Sequence, residues 1–276
     1  MFSEIIDNVK NNVPLVHNIT NYVTVNDCAN ILLACGGSPI MADDVDEVEE
    51  ITSICNALVI NIGTLNSRTI EAMIKAGKKA NEINIPVILD PVGAGASKLR
   101  TETTFRLLRE VKISVIRGNM SEIKVVGSSE SNGARGVDAN VADTVTEKNL
   151  DEAVNFIKCL SESLSSIIAV TGAIDIVADS HKAFVIKNGH PSMSKITGTG
   201  CMLTSIIGAY CGANRDNMLE ASAAAVCGMG LSGEMAYRKT KENDGGTSSL
   251  RMHLIDYIGK INSEILEGGA RFEIRK

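Results

Sequence analysis

The chain predicts an α/β fold in which a mainly parallel sheet carries helices on both faces. Three observations point there. Short apolar runs such as ALVINI (57–62) and PVILD (86–90) alternate with longer helical patterns along most of the 276 residues. Those runs end abruptly in polar or glycine-bearing turns, as buried parallel strands do. A composition of 44% hydrophobic and 22% charged residues supplies enough apolar surface for a sizeable core. Strand–helix units in repetition return each strand parallel to the last, with helices covering the sheet.

In chain order, residues 23–35 read as a helix capped by Asn21 or Thr20 and stopped by Gly36 and Gly37. After the run 57–62, Asn66 caps a long helix reaching about Ile83, and 86–90 is the next strand. A helix around 103–109 leads to a strand at 113–116, and another helix starts near Met120. A polar, glycine-bearing loop covers 127–144. Helix 150–164 and strand 166–170 follow, then a hairpin formed by 175–178 and 183–186. The last third reads as three helices, 201–212, 218–237 and 250–266. The segment ASAAAVCGMGLSG in the middle one is mostly small residues, which allows close helix packing.

Composition excludes several functions. A net charge of -6 and a pI near 5.4 argue against nucleic acid or anionic membranes as partners. With no tryptophan and 3% aromatics, base-stacking platforms are not expected. The first residues lack a secretory pattern, and no apolar run approaches the roughly 20 residues that cross a bilayer. Seven cysteines at irregular spacing, without a CxxC pair, read as reduced thiols of a cytoplasmic protein. Four histidines show no metal-ligand spacing, so zinc is not expected.

In a sheet of this kind, ligands bind beyond the carboxyl ends of the strands. The segment Thr197-Gly198-Thr199-Gly200-Cys201 opens onto a helix, so its backbone N–H groups form an anion pocket, with Cys201 placed to face the bound group. Asp90 ends a strand before Pro91-Val92-Gly93-Ala94-Gly95. Arg117 follows another strand, where a guanidinium can grip a phosphate in bidentate fashion. Glu122, with Asp90, suits a hydrated magnesium, and Thr171 can reach a nucleotide phosphate. Each has a plainer reading: Asp90 and Thr171-Gly172 as turn formers, Asn119 with Glu122 as a capping box, and the glycines as a tight turn. There is no GxxxxGK[ST], and Leu203 occupies the place a GxGxxG pattern would give to its third glycine.

The ordered set HNITN (17–21), GGSPIMADD (36–44), LDPVGAG (89–95), RGNMSE (117–122), VTGAIDIV (170–177) and ITGTGCMLT (196–204) resembles hydroxyethylthiazole kinases of the ribokinase-like superfamily, across nearly the whole chain. The resemblance implies one ribokinase-like three-layer α/β/α domain over 1–276, without a separate lid. It implies MgATP-dependent phosphorylation of the primary alcohol of 4-methyl-5-(2-hydroxyethyl)thiazole, a step of thiamine salvage. By position, Met41 and Gly198 would contact the thiazole alcohol, and Arg117 and Thr171 would hold ATP beside the Thr199–Gly200 turn. Asp90 and Glu122 would organise Mg2+, and Cys201 would take the place of the catalytic base. The family is trimeric with pockets between subunits, so Asn21 and Val23 or Met41 would serve a neighbour's site. The loop 127–144 is a few residues longer than the family pattern.

Chemistry fits this implication. A neutral thiazole asks for an adaptable apolar wall, which methionine provides. A loose phosphoryl-transfer transition state relies on positioning and charge more than on a base, and a helix N-terminus can lower the pKa of a thiol such as Cys201. Kinases of hydroxymethylpyrimidine or pyridoxal, and the ATP-dependent NAD(P)H-hydrate dehydratase, are alternatives within the fold. They are expected to carry aspartate at position 201. A cysteine hydrolase would require a histidine base that no motif places.

Overall fold

A computed structural model describes residues 1–128 and 143–276. Nine strands form one sheet in the order β2-β1-β3-β4-β5-β6-β7-β8-β9. The strands are β1 (Leu15–Ile19), β2 (Ser38–Ile40), β3 (Ala57–Asn61), β4 (Val87–Asp90), β5 (Val115–Gly118), β6 (Ile167–Val170), β7 (Asp175–Ala178), β8 (Ala183–Ile186) and β9 (Phe272–Arg275). From β2 across to β6 the pairing is parallel; β6 to β9 are antiparallel.

Successive side chains of a strand point to opposite faces, and the sheet uses both. Val59, Ile88, Val115 and Ala169 join one apolar core, with α1 (Ser3–Asn12), α2 (Val25–Cys35), α8 (Thr199–Ala213), α9 (Met218–Glu242), α10 (Thr247–Lys260) and α11 (Ser263–Gly269). Their neighbours Leu58, Leu89, Ile116 and Ile168 join a second, with α3 (Val48–Ser53), α4 (Ser67–Glu82), α6 (Met120–Ser128) and α7 (Leu150–Leu164), while α5 (Lys98–Glu110) adds Leu107. Helix α8 lies directly on the sheet. A Cβ at Gly208 would stand 2.7 Å from a Val59 methyl, so only glycine permits that approach. The result is the expected three-layer α/β/α arrangement.

Several boundaries depart from the sequence expectation. Helix α2 starts at Val25, and its cap position is Thr24, which makes no side-chain cap bond; neither Asn21 nor Thr20 caps it. Asn21 is drawn instead into a polar network described below. Arg117 lies within β5, not after it. The expected helix 250–266 is two helices, because Asn262 starts a new one by accepting from the Ile265 N–H at 2.8 Å. Helix α9 continues past Tyr237 to Glu242. In the loop expected at 127–144, Gly127 and Ser128 still belong to α6, and 129–142 lie outside the described residues. Asn66 does cap α4, with Thr69 completing a reciprocal capping box. Among the described residues, no helix is long and apolar enough to cross a membrane.

Candidate active site

The carboxyl ends of β3, β4 and β5 deliver three polar side chains to one place. Asn61 and Asp90 are register partners on neighbouring strands, and Arg117 stands on the next. The first turn of α8 closes the space above them. In that turn Gly198 is the cap, with φ of +84°, where an added Cβ would fall 2.4 Å from a Thr24 methyl. Glycine is therefore required twice, by conformation and by space. The constraint at Gly200 is of another kind: its φ is not positive, but a Cβ there would lie 2.3 Å from an Arg117 terminal nitrogen. Thr199, Gly200 and Cys201 thus open the helix, whose first N–H groups have no partner within it and face the site.

Asp90 is fully buried. Its Oδ2 accepts from Asn61 Nδ2 (2.9 Å) and Thr204 Oγ1 (2.8 Å), and Arg117 Nη1 stands 3.7 Å away. Burial, with a smaller push from the Glu122 charge, raises its pKa to about 6 against the pull of Arg117, Thr204 and Asn61. Its other oxygen, Oδ1, is buried without a hydrogen-bond partner, and so is Arg117 Nε. Arg117 Nη2 donates to Thr171 Oγ1. Glu122 accepts from the Gly93 N–H at 2.8 Å through Oε1 and from the Asn119 N–H at 2.9 Å through Oε2. The capping box with Asn119 is therefore real, and it fixes the carboxylate at the site's rim.

Among the described residues, no group of three or more His, Cys, Asp or Glu could hold a metal ion. Two carboxylates, one with an orphaned buried oxygen, fit magnesium held by water and phosphate oxygens, not an all-protein cage.

Cys201 Sγ accepts from Asn21 Nδ2 (3.2 Å) and Asn61 Nδ2 (3.3 Å). The expected lowering of its pKa by the helix N-terminus is not what the surroundings give. Burial and the nearby Asp90 charge raise it, and the hydrogen bonds from Thr24, Asn21 and Asn61 do not outweigh them. Met41 follows β2 and is half-buried; its neighbour Ala42 is held by its carbonyl at 2.8 Å from His17 Nε2. Tyr22 and Val23, just before α2, are 79% and 57% exposed.

From Arg117 and Thr171 a cavity of about 530 Å³ runs under Thr199 and Gly200 toward Met193, Val226 and Met229. Its far wall is residues 187–191. Glu234 accepts from the Gly189 N–H (2.8 Å) and pairs with both arms of Arg271, fixing that wall from behind. A larger cavity of about 660 Å³ opens at the opposite edge, near Pro86, Lys112 and Ile113, where strands begin and none of these site residues lies. The structure thus gathers Asn21, Asp90, Arg117, Thr171, Thr199, Gly200 and Cys201. Glu122 and Gly198 flank them, and Met41 and Val23 stand on the α2–β2 side. Sequence reasoning missed Asn61, whose signal was a second polar residue ending a buried strand, the register partner of Asp90.

The fold, with Asp90, Arg117 and Thr171 brought together at the carboxyl edge of its sheet, is that of a ribokinase-like α/β protein. The hydroxyethylthiazole kinase family pattern matches residues 6–264. A hydroxyethylthiazole kinase of Clostridium acetobutylicum is 58% identical over 273 residues, covering 99% of each chain. The solved hydroxyethylthiazole kinase of Pyrococcus horikoshii is 34% identical, with a TM-score of 0.88 over 100% of this chain and 99% of that one. A ribokinase-like superfamily protein of Enterococcus faecalis, 14% identical with a TM-score of 0.62 over 91% of this chain and 88% of its own, shares the fold. The chain belongs to the hydroxyethylthiazole kinase family.

Proposed function

We propose that this protein transfers the γ-phosphoryl group of ATP to the primary alcohol of 4-methyl-5-(2-hydroxyethyl)thiazole, in cytoplasmic thiamine salvage. The observation that carries the reading is the Arg117 guanidinium, set between Asp90 and Thr171 directly beneath the first turn of α8. A phosphate chain placed there receives the guanidinium, the Thr171 hydroxyl and the N–H groups of Thr199 and Gly200 at once. Asp90 and Glu122 would hold Mg2+ through water, and the metal, when bound, supplies neutralisation of phosphate oxygens. The acceptor lies on the other side of Gly198, against Met41, Asn21 and Val23, with its hydroxyl near Cys201. A thiol whose pKa is raised stays protonated near neutral pH and is little available as a base, which the loose transition state tolerates.

The whole described chain acts as one kinase domain in this reading. The exposure of Tyr22 and Val23 on the proposed acceptor side supports a homotrimer in which a neighbouring copy covers them.

The test is a coupled ATPase assay over hydroxyethylthiazole, hydroxymethylpyrimidine, pyridoxal and ribose, with product detection. Only the thiazole alcohol is expected to consume ATP at a useful rate. Equal or faster turnover of hydroxymethylpyrimidine would remove the substrate assignment.

A further inference from the structure

We infer that Asn61 is a positioning residue, which sets the Cys201 sulfur and the Asp90 carboxylate in one fixed relation through a single shared amide nitrogen. Its Nδ2 carries two hydrogens, and the geometry directs one to Asp90 Oδ2 at 2.9 Å and the other to Cys201 Sγ at 3.3 Å. The orientation of the amide is locked from its other end. Oδ1 accepts from Asn21 Nδ2 at 3.0 Å and from the Gly63 N–H at 2.9 Å, so a flipped amide would set donor against donor at both contacts. Asn61 is 1% exposed. Every polar atom it owns is committed.

The same amide pair organises the sulfur. Asn21 Nδ2 reaches Cys201 Sγ at 3.2 Å, and Asn21 Oδ1 is itself held by Thr24 Oγ1 at 3.1 Å. Two N–H donors approach the sulfur from the strand side, which leaves a different direction for the thiol's own hydrogen. On the other branch, Thr204 Oγ1 meets the same Asp90 oxygen that Asn61 meets. Because Asp90 Oδ2 is occupied twice, the buried Oδ1 is the oxygen that keeps a free acceptor site. Asn61 therefore decides which carboxylate oxygen is available and which side of the sulfur is open. This role rests on the phosphoryl-transfer reading for its use, but the contact itself does not.

Three measurements test it, in a Cys159→Ser background that removes the exposed thiol. Asn61→Leu keeps the bulk while removing donor and acceptor without adding a second carboxyl beside Asp90; Asn61→Ala removes the bulk as well. In either variant, kcat is expected to fall on the order of 10- to 100-fold, the scale of a small misplacement of reacting groups. KM for either substrate is expected to stay within about threefold, since the residue touches neither. Alkylation of Cys201 by iodoacetamide, without any substrate, should slow by about fivefold or more at fixed pH as a donor to sulfur is lost. A folded variant with kcat and alkylation rate both within about twofold of the parent overturns the inference. If both variants melt, the Cys159→Ser parent with Asn61 intact decides. The Asn61 side-chain amide signals of 15N-labelled protein must shift when Cys201 is alkylated, and unmoved signals overturn the contact. The alkylation and NMR results stand even if the thiazole is not the substrate, so the two readings fail separately.

Discussion

Gly200→Val is expected to abolish measurable turnover in a protein that remains folded. The cause is a collision, not a backbone that only glycine adopts. The Cβ of any residue at 200 would stand 2.3 Å from Arg117 Nη1 and 2.8 Å from Nη2. The guanidinium is the end of a flexible arm beside an open cavity, so it can swing away and the fold survives. It then leaves both Asp90 and Thr171, and valine's branches cover the first N–H groups of α8. Loss of one positioned donor to a developing charge costs about 100- to 1,000-fold, and here the guanidinium and the N–H groups go together. Cys201→Ala should by contrast leave a slow but measurable kinase, since the alcohol's proton needs little help. Steady-state kinetics with circular dichroism on both variants decide the matter. A nearly normal Gly200→Val beside a dead Cys201→Ala would transfer the main role to the thiol.

Asp90→Asn is expected to lose activity on the order of 100-fold or more and yet to melt higher than the wild type at pH 7.5. Asp90 has a folded pKa of about 6 against an ordinary value of 3.8, with burial the first cause. Between those values the folded chain holds more protons than the unfolded one. Stability therefore falls as pH rises from near 4 to near 6, and the loss persists above 6. An amide at 90 can still accept from Asn61 and Thr204, and it carries no charge to desolvate. The Arg117 charge left 3.7 Å away works in the other direction. Burial outweighs it here, as the raised pKa of the carboxylate already includes that attraction. Melting curves from pH 4 to 8 should show the wild type losing ground to the variant up to about pH 6, then running parallel. A variant that melts lower at pH 7.5 would mean that the ion pair with Arg117 dominates. Site groups held at a cost to stability are what function retains.

Much of this site was legible because its residues follow strands in the chain and are flagged by turn chemistry. Asp90 before Pro91, Arg117 before Gly118-Asn119 and Thr171 before Gly172 each stand where a parallel strand ends. Asn61 was harder to read, since an asparagine closing ALVIN passes for a simple terminator. Its importance appears only when β3 and β4 are aligned and it falls beside Asp90. Strand β1 escaped notice because His17 and Asn18 break its apolar run. Both are buried and satisfied, His17 by Thr52 and Ala42, and Asn18 by Val16 and Ser205. Strand β9, FEIR, is a charged edge strand whose partner lies far away in the chain. No local pattern marks such a pairing. The direction of the Cys201 shift was misjudged for a related reason: a helix N-terminus is visible in sequence, but the depth of burial and a carboxylate from another strand are not.

The His190–Tyr237 stack has an optical consequence. The two rings lie 3.6 Å apart at 17°, and His190 lines the cavity under Gly200. With no tryptophan and only four tyrosines in the chain, ultraviolet emission comes from the phenols without a dominant indole to mask them. Tyr210 is buried in the core and Tyr22 stands in solvent, while Tyr257 sits under Lys260. Tyr237 alone among them is coupled to the cavity wall through a ring. Any occupant that moves His190 changes the surroundings of that one fluorophore, so the unlabelled protein carries its own reporter of cavity filling.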